Sequence, residues 1–106
     1  MADSMRGLQP WLMPYAEWLV YYASRQGWSP TVTSIYRSYE QQRRLYAAYI
    51  AGRSRFPAAP PGKSWHQYGR AFDMVTEPMA RLNELGRIWK QMGGSWWDSD
   101  PIHFQA

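Results

Sequence analysis

The chain has 106 residues, no cysteine and a net charge of +4. That length allows one small domain with a single core spanning residues 1–106. The missing cysteines exclude disulfides and any thiolate-bound structural zinc, so packing must hold the fold, and 7 Trp, 8 Tyr and 3 Phe supply the large side chains for it.

At the N-terminus Arg6 precedes an apolar stretch, but Pro10, Pro14 and Glu17 interrupt it and no small-residue cleavage site follows. The stretch is too short and polar to span a bilayer. The expectation is synthesis and folding in the cytoplasm, without membrane insertion. Leu8, Trp11, Leu12, Tyr15, Trp18, Leu19 and Tyr22 recur at three- and four-residue steps, which predicts an amphipathic helix with its aromatic face in the core. Pro10 and Pro14 cannot both lie inside it, so the regular helix starts close to Pro14 and stops before Gly27.

Thr31-Val32-Thr33 and Ile35-Tyr36 predict a strand from Thr31 to Ser38. Ser38 and Gln41 have capping-box spacing, which places a second helix over about Tyr39–Gly52. Arg53 to Lys63 is rich in proline and small residues and reads as an ordered surface loop. A short strand follows through Ala71–Val75. Thr76 and Pro78 start a third helix with Met79, Leu82, Leu85, Trp89 and Met92 on one face, ended by Gly93-Gly94. Ser95-Trp96-Trp97 and His103-Phe104-Gln105 predict two last strands joined by the turn Asp98 to Pro101. The fold class is α+β: about three helices against a small antiparallel sheet.

Ten of the twelve basic residues are arginine, with Lys63 and Lys90 the only lysines. Such a charge suits an anionic partner (nucleic acid, anionic lipid or wall polymer), and equally it is what many soluble domains carry. The basic residues form no dense cluster, which argues against nucleic acid.

The chain's two histidines each sit in a segment rich in ligating side chains: Ser64-Trp65-His66-Gln67-Tyr68-Gly69-Arg70-Ala71-Phe72-Asp73 and Asp98-Ser99-Asp100-Pro101-Ile102-His103-Phe104. Two imidazoles and a carboxylate, with water in the fourth position, make a common catalytic zinc set. Asp73 stands in an otherwise apolar strand, so it must face a cation, a donor cluster or solvent. Gly69 lies where the chain can fold back and join His66 to Asp73; a packed His66 and a solvent-facing Asp73 on an edge strand are the alternative. Asp100-Pro101 suits the first two positions of a type I turn whose fourth residue is His103. Such a turn holds its ends within roughly 7 Å at Cα, putting a carboxylate beside a metal that His103 binds. An ordinary Asp-Pro turn is again the alternative.

Ser64-x-His66-x-x-Gly69-x-Ala71-x-Asp73 followed by Asp100-x-x-His103 resembles the zinc D-alanyl-D-alanine carboxypeptidase and L-alanyl-D-glutamate endopeptidase family. That family includes vancomycin-resistance carboxypeptidases and many phage endolysins, and shares its fold with the hedgehog signalling domain. The resemblance extends to Thr33-Ser34-Ile35-Tyr36-Arg37-Ser38 with Gln42 and Leu45-Tyr46, to Pro61-Gly62-Lys63-Ser64, and to Gly93-Gly94-Ser95-Trp96. It implies Zn2+ held by His66, Asp73 and His103, with Asp100 as the base that activates the water on the metal. It also implies that Arg37 reaches into the site to hold the substrate carbonyl or the oxyanion, a task suited to a permanently charged planar donor. Ser64 lines the site or satisfies backbone groups in the turn before His66; both readings stand. Asp98 is the next candidate base.

Many members carry glutamate where Asp100 stands, and aspartate leans towards the endopeptidase branch. The expected function is hydrolysis of a peptide bond in the stem peptide of bacterial peptidoglycan, L-Ala–D-Glu first, by a monomeric phage or prophage endolysin. It would wait in the cytoplasm until released to the wall, or be carried in a virion. The rivals are a D-alanyl-D-alanine carboxypeptidase and a non-catalytic zinc or wall-binding module. Asp100 weighs against the module, since a structural site has no use for a base.

Overall fold

Strand β2 (Ala71–Val75) lies between β1 (Thr31–Ser34) and β3 (His103–Gln105) and pairs antiparallel with both. The structure is a computed structural model that describes residues 5–106. Side chains alternate between the two faces of a strand, so this sheet has a core face and a site face. Phe72, Met74 and Phe104 enter the core, where Phe72 stacks on Phe104 at 5.2 Å and meets Trp89 edge-on at 5.4 Å. Asp73, His103 and Gln105 take the other face. Because β2 is the central strand, Asp73 is buried, and the alternative of a solvent-facing edge position falls away.

Helix α1 (Met13–Arg25) has proline in its first turn and ends before Gly27, as the punctuation predicts. Of the predicted face, Leu8, Leu12 and Leu19 are buried and Tyr22 packs against the core, but the other three aromatics do not. Ala16, Leu19, Val20 and Ala23 face the core, whereas Trp11, Tyr15 and Trp18 are 53%, 52% and 45% exposed. The two alanines on the buried face let the helix backbone lie close to the core, a position an indole could not share.

Helix α2 (Tyr39–Ile50) opens with the expected capping box: Gln41 N donates to Ser38 Oγ, and Ser38 N donates to Gln41 Oε1. It buries only Gln42. Unlike α1 and α3, it does not cover the sheet's core face. Helix α3 (Leu82–Gln91) follows a single 3-10 turn over Met79–Arg81, and this turn leaves Met79 off the buried face while Leu82, Leu85 and Trp89 pack inside. At Gly86 an added Cβ would stand 2.1 Å from the Trp96 ring, so the indole rests on bare helix backbone.

Two strand expectations need correction. β1 stops at Ser34, because the backbone beyond it turns to His66: Arg37 N donates to His66 O, and Ile35 O faces the imidazole. The last hairpin is reduced to one bridge between Ser95 and Gln105, after which Trp96 turns inward and donates from Nε1 to Pro101 O. The Arg53–Lys63 segment has no helix or strand, yet Gln42 Nε2 holds Ala59 O and Tyr68 Oη holds Gly62 O. Among the described residues no helix is long and apolar enough to cross a membrane.

Candidate metal centre

The sheet register assembles the site. Asp73 on β2 pairs with His103 on β3, and cross-strand partners project to the same face about 5 Å apart. His66 arrives from a 3-10 turn (Trp65–Tyr68) that ends at Gly69 in the left-handed conformation, φ 66°. A Cβ at Gly69 would also stand 2.8 Å from Gly7 O, so only glycine allows the chain to reverse here against the N-terminal segment. The reversal brings His66 Nε2 to 3.0 Å from Asp73 Oδ1, while His103 Nδ1 lies 3.2 Å from the same oxygen.

The outer nitrogens of both rings meet acceptors. His66 Nδ1 is 2.6 Å from Ile35 O, and His103 Nε2 is 2.7 Å from Gln105 Oε1. A carbonyl oxygen cannot donate, so each ring carries its proton on the outer nitrogen. In neutral rings the inner nitrogens then offer lone pairs to a carboxylate that is itself only an acceptor. Three such donors, mutually within 4.8 Å, repel one another unless a cation or a proton lies between them. Ligand atoms about 2.0–2.2 Å from zinc lie roughly 3.4 Å from each other, so the set fits a zinc ion with small adjustment. The outer acceptors also supply the support that fixes a ligating histidine's tautomer and orientation.

Burial pushes the His103 imidazole down, but hydrogen bonds to Asp73 and Gln105 and the charges of Asp73 and Asp100 outweigh it and raise its pKa. Burial pushes the Asp73 carboxyl up, and hydrogen bonds from His103 and His66 together with their charge hold it below the ordinary carboxylate range.

Arg37 leaves the segment after β1 and enters the same cluster. Its Nη2 donates to Asp73 Oδ2 at 2.9 Å, its Nη1 to Gln42 Oε1 at 3.1 Å and its Nε to Ser34 Oγ at 3.1 Å. Of five N–H donors, two remain for a ligand in the groove. Arg37, Ser64, His66, Asp73, Asp100 and His103 line one open groove of about 650 Å³, walled by α2 and the Arg53–Lys63 loop. Ser64 is buried and its side chain does not cap the turn before His66. Asp98 is exposed and does not line the groove. Gln42 and Gln105, both buried supports of the cluster, went unseen as such in the sequence. Gln105 had one legible signal: it stands two residues after His103 in a strand and therefore on the same face.

The model of the VanY D-alanyl-D-alanine carboxypeptidase family matches residues 6–99. The chain belongs to that family. No curated protein sequence matches it. Among solved structures, the LD-carboxypeptidase LdcB is 23% identical with a TM-score of 0.74, over 97% of this chain and 67% of that one. The vancomycin-resistance D,D-pentapeptidase VanY of a VanB-type cassette, in complex with Zn(II), is 22% identical with a TM-score of 0.73, over 92% and 71%. The L-Ala D-Glu endopeptidase ChiX of Serratia marcescens is 23% identical with a TM-score of 0.66, over 96% and 82%. Likeness at this identity establishes the α+β VanY-type fold.

Proposed function

We propose that the chain is a zinc peptidase that hydrolyses an amide bond in the stem peptide of bacterial peptidoglycan, with L-Ala–D-Glu as the bond cut. The observation that carries this reading is the convergence of His66, Asp73 and His103 in the groove that Asp100 and Arg37 also line. The family's D-alanyl-D-alanine carboxypeptidase model and the Zn(II) in the VanY structure support it.

Bound by His66 Nε2, His103 Nδ1 and Asp73, zinc would supply Lewis acidity, acidifying water and polarising the scissile carbonyl. Asp100 is held by the turn in which His103 N donates to Asp100 O at 3.1 Å. From there its carboxylate accepts the proton of the attacking water and returns it to the leaving amine. Arg37 fixes Asp73 through Nη2 and turns its two unused donors to the substrate carbonyl, whose developing negative charge they stabilise.

The choice of bond, and with it an endolysin role for a phage or prophage enzyme that acts once it reaches the wall, is supported by aspartate at position 100 and by the ChiX likeness. The family's own description favours a second reading, release of a terminal D-Ala. Mass spectrometry of muropeptides after digestion separates them. New L-Ala carboxyl and D-Glu amino termini are expected; loss of D-Ala alone would establish the carboxypeptidase, and unchanged muropeptides would refute the peptidase.

A further inference from the structure

Helix α1 carries an aromatic strip that the core uses only at Tyr22. Trp11, in the turn leading into the helix, and Tyr15, Trp18 and Tyr22 follow one another at steps of four, three and four, within one narrow face. The first three are about half exposed, and Trp18 stacks on Tyr22 with centroids 5.4 Å apart. From Trp11 to Tyr22 the strip runs about 16 Å along the helix.

The strip is joined to the groove. Arg70 lies between two indoles, its guanidinium carbon 5.9 Å from the Trp11 ring and 4.5 Å from the Trp65 ring. Trp65 lines the groove beside His66. Arg70 Nε donates to Ala106 O at 2.7 Å, which fixes the guanidinium between the two rings. Trp65, Arg70, Trp11, Tyr15 and Trp18 therefore make one surface from the metal centre to the middle of α1.

We propose that this surface binds the glycan strand of peptidoglycan, an inference that rests on the stem-peptide reading. A stem peptide is joined to its glycan at the N-terminus, so a bond between its first two residues can enter the groove only with the sugar close to the rim. The surface contiguous with that rim is where the strand lies. Its chemistry suits sugars: flat C–H faces of pyranose rings stack on aromatic faces, and indole N–H, phenol O–H and guanidinium groups meet hydroxyl and acetamido oxygens. The strip contains no Leu, Ile or Val, the residues with which a helix partner or an acyl chain would be met.

The test uses the intact chain with three probes: peptide-free glycan strands, a soluble stem peptide and whole sacculi. Wild type should bind the peptide-free strands. The Trp11→Ala/Tyr15→Ala/Trp18→Ala variant should bind them about tenfold or more weakly, the loss expected from two or three stacking contacts. It should digest sacculi correspondingly slowly and cleave the soluble peptide at the wild-type rate. Trp18→Ala alone should shift glycan binding in the same direction, and it decides the matter should the triple variant melt early. A conservative Trp11→Phe/Trp18→Phe variant should restore binding. Absence of wild-type binding to peptide-free strands would overturn the proposal. So would equal binding by the triple variant, including the case where its pelleting with anionic phosphatidylglycerol vesicles or its self-association changes instead. Slowed cleavage of the soluble peptide by a well-folded variant would overturn it too, by placing the strip in catalysis. Glycan binding is read without turnover, so wild type that cleaves neither substrate refutes the peptidase reading separately.

Discussion

Replacing Arg37 with lysine keeps the positive charge and removes the fork. In the structure the guanidinium serves Ser34 Oγ, Gln42 Oε1 and Asp73 Oδ2 at once. An ammonium, a single point charge with a shorter reach, can follow Asp73 or Gln42 but not all three directions. Ser34 can turn to water at little cost. Gln42 cannot: it is 1% exposed, and flipping its amide would break the Nε2 bond to Ala59 O. A buried acceptor left without a donor costs about 1–3 kcal/mol. At roughly 4–8 °C of Tm per kcal/mol for a domain of this size, Arg37→Lys should melt roughly 5–20 °C lower. Losing the outer partner of a metal ligand typically weakens zinc binding by about 10- to 100-fold. Losing a carbonyl-directed donor slows turnover by on the order of 100- to 1,000-fold. The assay is muropeptide release at saturating zinc, well below both melting points, so that unfolding and metal loss do not masquerade as a chemical defect. An unshifted melt with near wild-type turnover would refute both roles assigned to the guanidinium.

Asp100→Asn should retain fold and zinc, since Asp100 is exposed and outside the ligand set, yet lose on the order of 10²- to 10⁴-fold in hydrolysis; wild-type turnover would move the base elsewhere. Gln105→Leu removes the acceptor of His103 Nε2–H, and zinc affinity measured by competition with a chelating dye should fall about 10- to 100-fold. In the metal-free protein, the raised pKa of His103 means that its imidazolium pairing with Asp73 stabilises fully below the ordinary value of 6.5 and is lost as pH rises through the folded-state value. Melts with a chelator should therefore weaken above that pH, and the gain on adding zinc should grow there, because neutral imidazoles bind metal. A zinc effect that shrinks with rising pH would contradict this assignment.

The sequence made the His66, Asp73 and His103 cluster legible because a chain with only two histidines leaves few ways to build one, and because Asp73 interrupts an apolar strand. Turn chemistry was equally direct: the Ser38–Gln41 capping box and the His103 N to Asp100 O bond both follow from local spacing. What failed was orientation. The period of α1 sets an aromatic edge of Trp11, Tyr15 and Trp18 beside the stripe of Ala16, Leu19, Val20 and Ala23, and residue size alone puts that edge inside. Packing against the rest of the fold decides which is buried. The same limit hid the end of β1, where Ile35 and Tyr36 have strand-forming side chains but the Ile35 carbonyl is taken by His66. Gln42 belongs to the family resemblance and Gln105 is ordinary in sequence, but the part each plays in the site comes only through contacts made in three dimensions.

The central claim is that His66, Asp73 and His103 together form one zinc site. Calorimetric titration of zinc into chelator-stripped protein tests it most directly. One equivalent should bind wild type, and neither His66→Ala nor His103→Ala should show that binding. Undiminished zinc binding in either histidine variant would contradict the account.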